Sequence, residues 1–279
     1  MADQQSQRKP RLKTPHGACD THMHFYNGRY ATSPTATFTP PDAWLEEYRA
    51  EQKRLGLERV VVVQPTTYGR DNSCQLEAMA SFGESARGVM VADTNTSDEE
   101  LERLTKLGVC GIRFHMLPGG ALPWEMLEEM ATRVHAFGWH VQLQMNGRLL
   151  PDRELLLKNL PGNLVIDHVG RFMAPVKPEH ESFQVLMRLI DTGRCWVKLS
   201  APYESSVEGL PKFGDVAKEA QILAKAAPER MLWASNWPHP NQKIRYDNAD
   251  MLDLLLDWVD DEAVRNRILT DNPAELYGF

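Results

Sequence analysis

Short apolar runs alternate with longer amphipathic segments along almost the whole chain. Eight of the runs are six or seven residues long, and most are rich in Val, Ile and Leu. Continuous apolar runs of this length are typical of strands that are buried on both faces, as in parallel sheets. The pattern predicts strands at 18–24, 59–64, 87–92, 110–116, 140–145, 164–170, 195–200 and 230–235.

The segments between the runs have helical periodicity and recognisable ends. Ser97 has Glu100 three residues after it, which is the spacing of a capping box, and Gly108 ends that segment. Pro123 begins another helical segment, which Gly138 ends. The pattern predicts helices at 41–56, 72–85, 97–108, 123–138, 152–159, 179–192, 211–226, 248–258 and 260–270, and it places "NPAELYGF" after the last one.

Eight strand–helix alternations predict an α/β fold, a (β/α)8 TIM barrel. A doubly wound open sheet is the alternative, but the glycine-rich phosphate turn that would favour it does not follow the first strand. We expect a flexible N-terminal lead-in at 1–16 and a single catalytic barrel domain at 17–279. The longest insertion, 25–41, follows the first strand, where barrels place substrate loops.

Composition narrows the function classes. The 279 residues carry a net charge of −7 and no basic block, which argues against nucleic acid and acidic membrane surfaces as partners. There is no apolar run of about 18 residues, as a membrane span needs. The polar N-terminus also lacks the apolar segment of a secretory signal. The four widely spaced cysteines indicate reduced, buried thiols in a cytoplasmic protein.

Several histidines fall at the carboxyl ends of predicted strands, where TIM barrels place their active sites. His22 and His24 are two residues apart, so both face the same side of the first strand. His168 ends the sixth strand, with Asp167 expected to face the other way, and His239 follows the eighth. The spacing predicts a cluster of imidazoles that suits a metal ion or an anionic substrate.

Other polar side chains at these ends are candidates for substrate binding. Arg113 lies in an apolar strand and needs a partner, either a structural ion pair or a substrate carboxylate. Amides on the fifth strand fit a polyhydroxylated ligand or, alternatively, a polar inner layer of the barrel. Hydroxyls could bind a carboxylate or serve as ordinary turn residues. The remaining candidates are Thr66, Thr67, Gln144, Asn146, Ser200 and Tyr203.

The eighth strand ends in "WASNWPHP", which places Asn236 where a catalytic carboxylate would be expected. An amide cannot be deprotonated at working pH, and it is a weak ligand without charge to balance a divalent cation. The fifth strand likewise offers only amides near the site. We therefore predict a site that works without a metal or another cofactor.

These motifs resemble those of the amidohydrolase superfamily: "DTHMH" in the first strand, His168 in the sixth and "SNWPHP" after the eighth. "GRDN", "GIRF", "IDHVGR" and "DNPAELYGF" are similar to its metal-independent branch of 2-pyrone-4,6-dicarboxylate hydrolase and D-galactarolactone isomerase. The resemblance implies that His22, His24, His168 and His239 surround a reacting carbonyl. It also implies that Arg113 holds a carboxylate.

The departures from the hydrolase pattern shift the expected substrate. The hydrolase has a water-activating Asp at the place of Asn236, an aromatic hydroxyl at Gln144 and an Arg at Glu204. It also has an Arg in the loop after "GIRF", where this chain reads "LPGG". The resemblance thus implies a pocket with one Arg anchor, suited to a lactone that bears hydroxyls and one free carboxylate.

We therefore expect conversion of D-galactaro-1,5-lactone to D-galactaro-1,4-lactone by intramolecular acyl transfer, in galacturonate or galactarate catabolism. The alternatives are a hydrolase of a carboxylated lactone, a non-catalytic barrel that binds a sugar acid, and a metal-dependent decarboxylase of a neighbouring branch. The expected partner is a small sugar-acid lactone, and the sequence is compatible with a homo-oligomer.

Overall fold

Eight parallel strands form one sheet in chain order in the computed structural model, which describes residues 8–279. Each strand pairs with the next, and the register runs from Cys19 opposite Arg59 to Leu199 opposite Trp233. The strands β1–β8 span Cys19–Met23, Arg59–Val63, Ala86–Met90, Val109–His115, His140–Gln144, Leu164–Ile166, Cys195–Leu199 and Met231–Trp233. All eight predicted strands are present, each within a few residues of its predicted bounds.

Backbone hydrogen bonds bring the last strand back to the first. The amide of Asn236 donates to the carbonyl of His22 at 2.9 Å, and the amide of His24 donates to the carbonyl of Trp237 at 2.9 Å. The sheet is thus a nearly closed barrel with helices between its strands, which confirms the predicted (β/α)8 fold.

The helices cover the outside of the barrel. At the start of α3 the Ser97 hydroxyl accepts a hydrogen bond from the Glu100 amide, as the capping box predicts. Gly56 ends α1 in the left-handed conformation, with φ of 71°. The helices α1–α10 span Leu45–Leu55, Ser73–Ala80, Asp98–Lys106, Leu127–His135, Glu154–Asn159, Glu181–Ile190, Gly214–Ala226, Asn248–Trp258, Glu262–Leu269 and Asp271–Tyr277. The prediction missed α10, which occupies the "NPAELYGF" stretch.

Most of the apolar core lies in one large cluster that includes helix residues such as Leu101 and Leu252. A second, smaller cluster is built mainly from strand residues, among them Val61, Val89 and Leu232, with Tyr277 of α10. Together these clusters hold the strands rigidly, so side chains at the strand ends have fixed positions.

The N-terminal segment that the structure describes contacts α8. The amides of Arg11 and Leu12 donate to Oδ1 of Asp253 at 2.7 and 2.9 Å, and Leu12 is buried. Of the lead-in expected at 1–16, residues 1–7 lie outside the described residues, and the single-domain boundary at residue 17 stays a prediction. None of the helices within residues 8–279 is long and apolar enough to cross a membrane.

Candidate active site

Three neighbouring strands end in left-handed backbone turns. His168 and Val169 after β6 have φ of 57° and 54°, Ala201 after β7 has 44°, and Asn236 after β8 has 54°. A β-branched residue such as Val169 rarely adopts this conformation, and such strain is concentrated at functional sites. The turns bend the chain at the carboxyl end of the barrel and direct side chains towards one cavity.

His22 and His24 of the first strand face each other. Their Nε2 atoms are 3.2 Å apart, and both rings are buried. His24 Nδ1 lies 2.7 Å from the carbonyl oxygen of Val63, which can only accept a hydrogen bond. His24 therefore carries a proton on Nδ1. The same-face placement predicted from the spacing of the two residues is confirmed.

A buried polar network lies directly against His22. Lys198 of β7 donates to Oε1 of Gln142 at 2.7 Å and to the carbonyl of Thr21 at 2.8 Å. The Oδ1 atom of Asp167 is 3.3 Å from His22 Nδ1 and 3.7 Å from the Lys198 ammonium. The sequence prediction that Asp167 faces away from this cluster is wrong, because β6 ends at Ile166 and the left-handed turn after Asp167 breaks the alternation.

Burial and charge set the protonation of this network. Burial alone would raise the pKa of Asp167, but the Lys198 ammonium beside it holds that pKa well below its usual range. Burial lowers the pKa of Lys198 to about 8, so the ammonium is mainly charged at neutral pH. Burial also lowers the pKa of His22 well below its usual value, which leaves that ring neutral.

A cavity of about 360 Å³ opens above the histidines. Its wall includes Thr66 and Gln144 from the predicted set. It also includes Glu204, which the comparison with the hydrolase pattern placed at the pocket, and His115 and Arg171, which the prediction did not assign to the site. The other predicted residues on the wall are His24, Arg113, His168 and Asn236.

Arg113 is 5% exposed, yet no carboxylate is among its hydrogen-bond acceptors in residues 8–279. It donates to the carbonyl of Gln64 at 2.5 Å and to Oε1 of Gln144 at 2.7 Å, and its Nε has no partner in the described chain. A buried charge without a counter-ion is costly. The arrangement favours a ligand carboxylate at Arg113 over a structural ion pair.

Arg171 and Glu204 form an ion pair across the cavity wall. The Nε atom of Arg171 donates to Oε2 of Glu204 at 2.5 Å, and the amide of Gln144 donates to the same oxygen at 3.3 Å. The Asn236 amide donates to Oε1 of Glu204 at 3.4 Å and to the Tyr203 hydroxyl at 3.0 Å. Burial alone would raise the pKa of Glu204, but the Arg171 guanidinium, which donates to it, lowers that pKa, so the carboxylate is ionised.

The expectation of one Arg anchor therefore needs correction, because Arg171 stands on the wall beside Arg113. Its signal in the sequence was the "VGR" after His168, which places an arginine just beyond a strand end. Glu204 neutralises that second arginine. Arg113 remains as a positive side chain that donates to no carboxylate in residues 8–279, although the charges of Asp167 and Glu204 act on it from a distance.

The imidazoles on the wall are neutral. Burial lowers the pKa of His168, and burial with the nearby Arg113 charge lowers the pKa of His24 and brings that of His115 to about 3. The wall then carries two positive side chains and one negative one. This balance matches a ligand with a single negative charge.

Six predicted residues do not line this cavity: His22, Thr67, Asn146, Ser200, Tyr203 and His239. Ser200 lies behind His168, with Oγ 2.9 Å from His168 Nδ1, and Tyr203 contacts Asn236. Thr67 is buried outside the cavity wall. Asn146 is directed elsewhere, because its side-chain oxygen accepts from the Arg148 amide as a helix cap.

His239 also stands apart, contrary to the expectation that it joins the cluster around the reacting carbonyl. Its Nε2 is 2.8 Å from Oδ1 of Asn248, and its ring packs against Tyr203. It lines an adjacent cavity instead. The left-handed turns at Asn236 and His239 carry its ring behind Tyr203.

A divalent metal ion fits these residues poorly. His22, Asp167 and His168 do place potential ligand atoms within 4.8 Å of one another. Asp167, however, is already the counter-ion of Lys198, and Asn236 brings no charge. A metal site needs deprotonated ligands and charge balance, which this arrangement does not provide.

Comparisons with known proteins agree with the barrel fold. The family model described as Amidohydrolase matches residues 19–279. D-galactarolactone isomerase of Agrobacterium fabrum is 37% identical over 96% of this chain and 93% of its own length. The 2-pyrone-4,6-dicarboxylate hydrolase of Comamonas testosteroni is 33% identical over 96% and 92%. An apo crystal structure from Agrobacterium tumefaciens, 36% identical, superposes with a TM-score of 0.92 over 97% of this chain and 98% of its own.

Proposed function

Because the chain belongs to the amidohydrolase family and its relatives act on lactones, we propose that it isomerises D-galactaro-1,5-lactone to D-galactaro-1,4-lactone, without a metal. The observation that carries this proposal is Asn236. The end of β8 presents an amide to the cavity, with its nitrogen directed at Tyr203 and Glu204. That amide cannot take a proton from water, so a hydroxyl of the substrate itself becomes the nucleophile. The pathway would be galacturonate or galactarate breakdown.

The charge balance supports a substrate with one carboxylate. Arg113 supplies the positive charge that has no anionic partner in residues 8–279, and a substrate carboxylate would replace that missing counter-ion. Glu204 and Gln144 offer acceptors and donors to hydroxyl groups on the other wall. A second carboxylate would lie against Glu204, which disfavours dianionic lactones.

The reaction exchanges one ester bond for another. A substrate hydroxyl attacks the lactone carbonyl carbon, a new C–O bond forms, and the old ring C–O bond breaks. One proton moves from the attacking hydroxyl to the departing oxygen. Neutral His168, held through Nδ1 by Ser200, would take this proton and return it, while the positive arginines stabilise the tetrahedral oxyanion.

Proton NMR tests this proposal. Purified protein is mixed with freshly prepared D-galactaro-1,5-lactone, with and without chelator, beside a sample without protein. We expect the 1,4-lactone to accumulate before any open-chain acid and at the same rate with chelator. Appearance of the open-chain acid as the first product, or a rate equal to the uncatalysed one, would refute it.

Hydrolysis of a carboxylated lactone is the second candidate, and Glu204 is the observation that favours it. The carboxylate is ionised, lines the cavity and lies beside Asn236. It could activate a water molecule in place of the missing carboxylate on β8. The same NMR experiment separates the two candidates, since hydrolysis gives the open-chain acid directly.

A further inference from the structure

Lys198 is a fully buried lysine that does not reach the cavity. Its Nζ has two short hydrogen bonds, to the Thr21 carbonyl at 2.8 Å and to Oε1 of Gln142 at 2.7 Å. A third acceptor, Nδ1 of His22, lies 3.4 Å away, and Asp167 provides the counter-ion at 3.7 Å. The three N–H groups of the ammonium thus have acceptors inside the barrel.

Lys198 fixes the orientation of the Gln142 amide. Because Oε1 of Gln142 accepts from the ammonium, its NH2 group must face the other way. That NH2 group lies 3.2 Å from His22 Nδ1 and 3.1 Å from Oδ2 of Asp167. Two donors, the amide and the ammonium, therefore face His22 Nδ1. Against these two donors stands one acceptor, Oδ1 of Asp167 at 3.3 Å. The two donors favour an accepting Nδ1, which places the proton of neutral His22 on Nε2.

The other side of the pair leads to the same assignment independently. His24 donates from Nδ1 to Val63, so its Nε2 is bare in the neutral ring. The two Nε2 atoms at 3.2 Å need one proton between them, since two lone pairs would repel each other. That proton belongs to His22. The two Nε2 atoms therefore carry one N–H group and only one lone pair. A metal ion bound by both rings would need two lone pairs.

We propose that Lys198 is a positioning residue that supplies the fixed cation of this site and, through Gln142, holds the His22–His24 pair in a one-proton state that does not chelate a divalent metal ion. Chelation would need both Nε2 lone pairs free. It would also place two further positive charges near an ammonium whose counter-ion is already used. This inference does not depend on the proposed lactone reaction, because its tests measure ring protonation and bound metal.

Nitrogen-15 NMR of the histidine rings tests the protonation directly. In the wild-type protein at neutral pH we expect His22 to be protonated on Nε2 and His24 on Nδ1. In Lys198→Met the Gln142 amide is free to rotate, and His22 Nδ1 can donate to Asp167 Oδ1, 3.3 Å away, once zinc takes the place of the proton between the two Nε2 atoms. We therefore expect the His22 proton to move to Nδ1 when zinc is added to the variant, and to stay on Nε2 when zinc is added to the wild-type protein. A wild-type His22 that is protonated on Nδ1 and bare on Nε2 overturns the proposal without any variant.

Equilibrium dialysis against zinc tests the exclusion of metal. We expect Lys198→Met to bind zinc at least about 100-fold more tightly than wild type, because removing the ammonium lifts a charge repulsion of that order inside a protein. Lys158→Met, which removes a lysine on the surface of α5, is the matched control and should change nothing. Equal zinc affinity in folded Lys198→Met and wild type overturns the proposal.

Asn236→Asp gives a second measurement if Lys198→Met does not fold. It adds the missing carboxylate but leaves the ammonium in place, so we expect its zinc affinity to rise by less than about tenfold. Removal of the ammonium in Lys198→Met should raise the affinity about 100-fold. Stoichiometric, tight zinc binding by Asn236→Asp would show that the absent carboxylate, rather than Lys198, excludes the metal. Tight zinc binding by the wild-type protein would also overturn the proposal.

Discussion

Asn236→Asp is the substitution with the largest expected effect on chemistry, because it places a second carboxylate beside Glu204. In the wild-type protein the Asn236 nitrogen lies 3.4 Å from Oε1 of Glu204. An aspartate oxygen at that place would face an ionised carboxylate in a buried site. Like charges this close cannot both remain ionised without a large shift in pKa.

Coulomb's law gives the size of that shift. Two unit charges at 3.4 Å repel by about 5 kcal/mol at an effective dielectric constant of about 20, which corresponds to about 3 to 4 pKa units. The pair should therefore share one proton up to about pH 7 to 8. Below that range its total charge equals that of wild-type Glu204, and above it the second carboxylate becomes a base for water.

Two measurements follow from this shift. The rate of open-chain acid formation by Asn236→Asp should rise with pH through the neutral range, while isomerisation falls below the wild-type level. The folded pair binds more protons than the unfolded chain between about pH 4 and pH 8, so the melting temperature of the variant should fall as pH rises through that window. The double variant Asn236→Asp with Glu204→Gln removes the repulsion and should lose both effects. Unchanged isomerisation and a flat pH profile in the single variant would refute this reasoning.

Three further substitutions test other parts of the structure. Arg113→Met should raise KM about 100-fold with a smaller change in kcat, because the variant loses a charge-assisted hydrogen bond to the substrate carboxylate. An unchanged KM in steady-state kinetics would contradict this role of Arg113. Ser97→Ala should lower the free energy of unfolding in urea by about 1 kcal/mol without changing activity, because the Ser97 hydroxyl caps α3 by accepting from the Glu100 amide. An unaltered midpoint of urea unfolding would argue against the cap. Burial raises the pKa of Glu219 to about 7 while it accepts from the Val176 amide, so wild-type stability should fall as pH rises from about 4 to 7. Melting curves of Glu219→Gln should show a weaker slope in that window, and an identical slope would exclude Glu219 as its source.

The strands could be predicted because their signal is local. A buried parallel strand needs only a short apolar run, and each of the eight runs became a strand. The missed helix α10 follows the last predicted helix and has Pro273 in its sequence. Pro273 is the third residue of Asp271–Tyr277, where a backbone N–H has no partner within the helix, so proline is tolerated there.

The candidate site could be predicted only where strand periodicity determines which way a side chain points. His22, His24 and Arg113 point inward because side chains two apart on a strand share a face. Periodicity fails at Asp167, where the chain leaves the strand for a left-handed turn. It also carries no information on the Arg171–Glu204 pair, which joins two loops 33 residues apart.

The charges of the site form two levels with different roles. At the lower level, inside the barrel, Lys198 and Asp167 balance each other's charge and do not contact the ligand. Their role is to fix the protonation of the histidine pair. At the cavity, Glu204 balances Arg171, whereas Arg113 has no carboxylate partner within residues 8–279. Because the lower level is complete without a ligand and the upper one is not, a monoanionic substrate satisfies the cavity and leaves the histidine pair unchanged. The guanidinium donors of the cavity are therefore fixed in the protein before the substrate arrives, which is the preorganisation that acyl transfer needs.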